Sequence, residues 1–201
     1  MSEKLDWTGQ TVVIVAAGPS CSAIDLTRAM GYAKVLVINE SWNLAPWADA
    51  MYACDYAWWK HRDGCPGFHG VKFSADQQAV DEYPDIRHVE LWREVNTIIT
   101  EEKNVIGDGR NSGFQALNLA VLLGSKDIVL VGYDMTLEYG VHWHGWHDRP
   151  LNNPQEHNVL VWRKHLDAVA PLLAKKGVRV RNASHVSRLE AYPKVNFYEI
   201  F

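Results

Sequence analysis

The stretch Thr11-Val12-Val13-Ile14-Val15-Ala16-Ala17 is apolar at every position after the first and stops abruptly at Gly18-Pro19-Ser20. A strand with one wet face alternates apolar and polar residues; an unbroken β-branched run instead belongs to a strand covered on both faces, as in parallel sheets flanked by helices. The residues that follow fit that architecture. Ser20 or Ser22 is placed to cap a helix reaching about Gly31, and residues 35–38 form a second buried strand ending at Asn39, which completes a βαβ unit. A third apolar run, 50–54, ends at Asp55 and leads into a helix over 56–62. Between residues 64 and 109 turn-formers interrupt every pattern, with short strands expected at 70–73, 87–91 and 97–99.

The second half is clearer. Asn111-Ser112-Gly113 precedes a helix over 114–123 that is apolar all round and therefore deeply packed, with Gly124 as its C-terminal stop. A strand over 126–131 stops at Gly132-Tyr133-Asp134, a loop rich in His and Trp runs from 136 to 154, and a helix over 155–175 leads to a last strand at 178–181. This alternation predicts an α/β fold that is Rossmann-like and doubly wound, a mostly parallel sheet with helices on both faces. A chain of 201 residues without a Ser/Gly linker, repeat or low-complexity tract reads as one domain, 1–201.

Charge and composition narrow the function classes. Lys and Arg number 20 against 24 Asp and Glu, a net charge of −4 with none of the basic excess that nucleic acid requires. The longest apolar runs, 11–17 and 116–123, fall well short of the ~20 residues that cross a bilayer, and the opening Met1-Ser2-Glu3-Lys4 lacks a leader's apolar core. A cytoplasmic location is expected, that of the host if the chain is phage-encoded. Cys21, Cys54 and Cys65 are too scattered for a disulfide framework, so reduced thiols are expected. Nine Trp, seven of them outside the loop segment 143–146, suggest aromatic surface as well as core, which is compatible with a homo-oligomer or with stacking of sugars or bases on Trp42, Trp47, Trp58 and Trp59.

In open α/β sheets ligands bind beyond the carboxyl ends of the strands, which makes the residues found there informative. Gly18-Pro19-Ser20 is a small-residue turn into a helix start, suited either to an anion such as phosphate or simply to a tight capped turn. Ser112-Gly113 has the same two readings. Asp55 and Asp134 stand where they either hold a cation or a ribose hydroxyl, or cap the next helix or turn. Asn39 offers one donor and one acceptor to a base or ribose, or stabilises its own turn. The densest signal is His142-Trp143-His144-Gly145-Trp146-His147-Asp148, with three imidazoles in six residues. One of them acting as general base is the leading reading. A metal site is the rival: His142 and His144 share a side of an extended segment and His147 folds back, although the spacing matches no familiar structural zinc pattern. A purely structural aromatic loop is the third.

In chain order, Ala17-Gly18-Pro19-Ser20, Asn39, Asn111-Ser112-Gly113-Phe114-Gln115-Ala116 with Leu122-Leu123-Gly124, the strand into Asp134 and the His loop resemble the bacterial sialyltransferases that use CMP-sialic acid, and their phage-encoded relatives. The resemblance covers most of the chain outside 64–109. It implies a nucleotide-sugar-dependent glycosyl transfer with inversion, no metal and no further cofactor, a His general base among His142, His144 and His147, and nucleotide contacts at Gly18, Pro19, Ser20, Asn39, Ser112 and Gly113. By their strand-end positions alone, Asp134 joins the candidate catalytic residues and Asp55 the candidate nucleotide contacts. Ala17 stands where that family has Asn, and Asp55 replaces a second Asn. A fainter resemblance, to archaeal 6-hydroxymethylpterin pyrophosphokinases, implies instead a magnesium- and ATP-dependent reaction, but there the His loop precedes the last strand-end Asp, whereas here it follows Asp134. A nucleotide-binding phage protein without activity is the third alternative. If a histidine is the base, His142→Ala or His144→Ala is expected to lower turnover about 10²–10⁴-fold, and His147→Ala less.

Overall fold

The computed structural model describes residues 5–201, so the Met1–Lys4 opening read above for a leader lies outside the described residues. The strands are β1 (Thr11–Val15), β2 (Lys34–Ile38), β3 (Ala50–Tyr52), β4 (Val71–Ser74), β5 (Ile86–His88), β6 (Glu90–Trp92), β7 (Val105–Gly107), β8 (Asp127–Val131) and β9 (Arg179–Asn182). The α-helices are α1 (Tyr56–His61), α2 (Gln77–Glu82), α3 (Ser112–Leu122) and α4 (Glu156–Lys175). Seven strands form one parallel sheet in the order β5-β4-β3-β2-β1-β8-β9, and β6 and β7 form a small parallel pair beside it. No helix among the described residues is long and apolar enough to cross a membrane.

The unbroken apolar run explains the layering. Val12 and Ile14 of β1 join a core with α3 and α4, through Phe114, Leu117, Leu166 and Val169. Val13 and Val15 join a second core on the opposite face, with Cys21, Trp58, Trp59 and Phe197. Both faces of the strand are covered, and the fold is the expected α/β, Rossmann-like sheet. At the amino edge of the sheet Asp127 ties three strands together. It accepts from Thr11 Oγ1 on β1 at 2.9 Å, from Arg181 Nη2 at 2.9 Å and from Arg179 Nε at 2.9 Å on β9.

Three expectations are corrected. The helix expected from Ser20 to Gly31 is two separate 3-10 turns, Pro19–Ala23 and Leu26–Ala29. Ser and Thr in this segment compete locally for backbone groups, and Asp25 restarts the chain by accepting from the Thr27 N–H at 3.1 Å. The strand expected over 87–91 is divided at buried Val89, whose N–H donates to Ser74 O at 2.9 Å, so β5 pairs with β4 while β6 pairs with β7. Residues 97–99 are not a strand. The backbone of Ile99 is satisfied by the buried Asn118 side chain, with Ile99 N–H to Oδ1 at 2.8 Å and Nδ2 to Ile99 O at 2.8 Å. The same Oδ1 accepts from Gly107 N–H at 2.9 Å, so one side chain of α3 anchors both this segment and the end of β7, a strand the sequence reading did not anticipate.

Candidate functional site

The strand order reverses between β1 and β8: β2 lies on the far side of β1, β9 on the far side of β8. The connections leaving these two strands part in opposite directions and open a crevice beyond their carboxyl ends. Gly18 closes the turn after β1, its N–H donating to Gly132 O at 2.9 Å. Its backbone is ordinary, with φ −60°, so the reason for glycine is space. A Cβ there would stand 2.4 Å from Gly132 O and 2.6 Å from Asp134 Cγ. Asp134 is only 2% exposed, and both its oxygens are occupied: Oδ2 accepts from the Ser20 N–H at 2.9 Å and Oδ1 from the Ser20 hydroxyl. Burial holds its carboxyl above the usual range, opposed by the two Ser20 bonds and by His185.

A cleft of about 340 Å³ occupies the crevice. Of the expected site residues, Gly18, Asn39, Asp55, Ser112, Gly113, Asp134, His142 and His147 line it, whereas Pro19, Ser20 and His144 do not. Ser20 is turned inward to Asp134 and acts on the site through it. Asn39 has φ +48°, a conformation Asn tolerates better than most residues, and its side-chain amide has no hydrogen-bond partner among the described residues. Asp55 precedes α1 without capping it and stands exposed, its carboxyl raised by the surrounding protein and by Asp76, with Arg93 opposing. Asn111 caps α3, accepting from the Phe114 N–H at 3.2 Å, which starts the helix at Ser112 and aims its free amides at the cleft. Gly113 is held by Tyr133, whose hydroxyl donates to Gly113 O at 2.8 Å; a Cβ on Gly113 would meet the Tyr133 ring at 3.0 Å.

The His loop is pinned at both ends. Trp143 N–H donates to Ala17 O at 2.9 Å, docking the loop on the end of β1. Gly145, at φ +88°, turns the chain back with its N–H on His142 O at 3.0 Å. Asn153 grips His147 at both backbone groups, accepting from its N–H at 2.8 Å and donating to its O at 3.0 Å. The three imidazoles collect as a result. His142 and His144 rings stack at 5.1 Å, and the His147 ring stands 4.7 Å from each of them. One ring nitrogen from each lies within 4.8 Å of the other two. Desolvation, with mutual repulsion, pushes the His142 imidazole down to about 3, and desolvation also lowers His144 and His147.

Of the two roles open to the tryptophans after β2 and β3, stacking on a ligand or packing in the core, the structure shows packing. Trp58 and Trp59 are buried, with Nε1 atoms donating to Glu40 Oε1 and Ala53 O at 3.0 Å each, and neither they nor Trp42 and Trp47 line the cleft. The aromatic that does line it is Trp162 of α4, together with Asn158 one turn earlier and Arg110 before α3. Sequence reasoning missed these three. The cluster Asn152-Asn153-Pro154 ahead of α4 was the available signal, a polar run entering a helix from the His loop.

No known family model matches the chain, and no curated protein matches its sequence. Its fold is similar to that of the sialyltransferase CstII from Campylobacter jejuni, solved in complex with the substrate analogue cytidine-5'-monophosphate, with a TM-score of 0.59 at 14% identity over 94% of this chain and 85% of that one. A second structure, the sialyltransferase CST-II with a trisaccharide acceptor and CMP, superposes with a TM-score of 0.56 at 14% identity, covering 92% of this chain and 86% of that one. At that identity the likeness is one of fold.

Proposed function

We propose that this chain is a nucleotide-sugar-dependent glycosyltransferase, with the donor nucleotide in the cleft between β1 and β8 and the acceptor entering over the His142–His147 rim. The observation that carries the reading is the convergence of Gly18, Asn39, Ser112 and Gly113, from three separate strand ends, on one cleft. The fold similarity to a sialyltransferase solved with CMP supports the choice of transfer over other nucleotide chemistry.

The donor phosphate belongs at the first turn of α3, where Ser112 and the unpaired helix amides favour an anion. The free Asn39 amide suits the ribose or base. Asp134 acts as a positioning residue, holding the Gly18–Ser20 turn shut over β8. In the reaction the acceptor hydroxyl oxygen bonds to the anomeric carbon from the face opposite the leaving group. The bond from that carbon to the phosphate oxygen breaks, and the nucleotide monophosphate leaves with the electron pair. The hydroxyl proton passes to a group on the rim; of the two imidazoles that line the cleft, His147 is the better base, because burial and its neighbours push His142 down to about 3.

Calorimetric titration with CMP, UDP and ATP, each with and without magnesium, tests the reading. CMP binding that needs no magnesium is the expected result. ATP binding that appears only with magnesium contradicts it in favour of a pyrophosphokinase, and no binding by any of the three contradicts it in favour of an inert relative.

A further inference from the structure

We infer that His142, His144 and His147 form a binding site for a single divalent transition-metal ion of the zinc class, at the rim of the cleft. The inference does not rest on the transfer reading, and it competes with a histidine base there: an imidazole nitrogen that holds a metal cannot also take the acceptor proton. Its foundation is the geometry of the loop: three imidazole nitrogens lie within 4.8 Å of one another, all supplied by six consecutive residues. Around a tetrahedral zinc ion, with zinc–nitrogen bonds near 2.0–2.1 Å, ligand nitrogens sit about 3.3 Å apart. The trio therefore needs to close by about 1.5 Å at most. Side-chain rotation about a turn with an unencumbered hinge supplies that, because nothing lies within 4 Å of where a Gly145 Cβ would be.

The nitrogens are also unspent. The Nε2 atoms of His142 and His144 are buried and have no hydrogen-bond partner. Buried polar atoms in folded proteins are almost always paired, so two orphans on rings stacked 5.1 Å apart point to a missing partner. The ion pair of Glu40 with Arg62, at 2.7 Å, lies close enough for both of its charges to act on His144 and His147, and the two oppose each other. Three neutral nitrogens suit zinc, copper or nickel better than magnesium or calcium, which prefer oxygen. A three-histidine set leaves the fourth position open to water or a substrate oxygen, and His142 and His147 place that position beside the cleft.

The test uses untagged, chelator-stripped full-length protein. Zinc is titrated calorimetrically into the wild type, into His142→Ala, His144→Ala and His147→Ala, and into His69→Ala, an exposed histidine outside the cluster. One equivalent should bind to the wild type and to His69→Ala, with each trio variant weaker by about 100-fold or more. Circular dichroism of the metal-free proteins checks that the variants fold, and the cobalt-substituted wild type gives a second readout that needs no variant. An intense tetrahedral cobalt spectrum supports the site. An octahedral spectrum, no stoichiometric binding by the wild type, or unchanged binding in folded trio variants overturns it.

Discussion

Replacing Gly18 by Ala tests whether the cleft depends on close approach of the turn after β1 to the turn after β8. The new methyl would sit 2.4 Å from Gly132 O, about 1 Å inside normal contact, and 2.6 Å from Asp134 Cγ. Neither neighbour yields freely, since one is backbone and the other is buried and bonded twice to Ser20. Overpacking by one methyl costs about 1–3 kcal/mol, and straining the Gly18–Gly132 bond or one Ser20–Asp134 bond adds about 1 kcal/mol. A total near 3 kcal/mol lowers the melting temperature by about 6–12 °C in a chain of this size. The comparison variant is Gly31→Ala, where φ is +79° and nothing lies within 4 Å, so that backbone conformation alone costs about 1 kcal/mol. Urea denaturation of both, with nucleotide titration alongside, reads out the difference. Gly18→Ala should be the less stable by about 2 kcal/mol and should lose at least tenfold in nucleotide affinity, whereas Gly31→Ala should bind normally. If Gly18→Ala is no less stable than Gly31→Ala and binds nucleotide as well as wild type, the packing argument fails.

Asn118→Leu should destabilise by about 2–4 kcal/mol in urea, since it orphans the Ile99 N–H and C=O and the Gly107 N–H, and amide exchange at Ile99 and Gly107 should accelerate selectively. Asp127→Asn should cost about 1–2 kcal/mol at neutral pH. Burial raises the Asp127 carboxyl, but the bonds from Arg179 and Thr11 and the charge of Arg181 outweigh it and leave it below the usual value. A carboxylate lowered by folding stabilises fully above its unfolded value near 3.9 and loses that contribution as pH falls through the folded value. Wild-type stability should thus fall below about pH 4 more steeply than that of Asp127→Asn, and urea midpoints at several acidic pH values measure it.

The sheet was legible wherever burial on both faces left a run with no polar interruption, as in β1, β2 and β8, and its strand ends named most of the cleft. Legibility failed where side chains replaced backbone partners. Nothing local to residues 97–99 announces that Asn118 will take their hydrogen bonds, and apolar content alone therefore read as a strand. The split at Val89 was equally hidden, because one residue changing partners leaves no compositional mark. In the site, the clustering of His142, His144 and His147 in sequence was visible, but their packing depends on the Gly145 turn and the Asn153 clamp, and the latter is a contact six residues away. For Trp162 and Asn158 the polar run 152–154 marked only the approach to α4, because a helix pattern tells which residues are apolar, not which face meets a cleft built by other strands.

The central claim is that a nucleotide sits between the turn after β1 and the start of α3. A crystal structure of the protein with CMP tests it most directly. The account expects the phosphate within hydrogen-bond distance of the Ser112 and Gly113 amides, the ribose or base on Asn39, and the Gly18 turn unmoved against Gly132. CMP bound away from Gly18, Asn39 and Ser112, or a vacant cleft at saturating CMP, would contradict it.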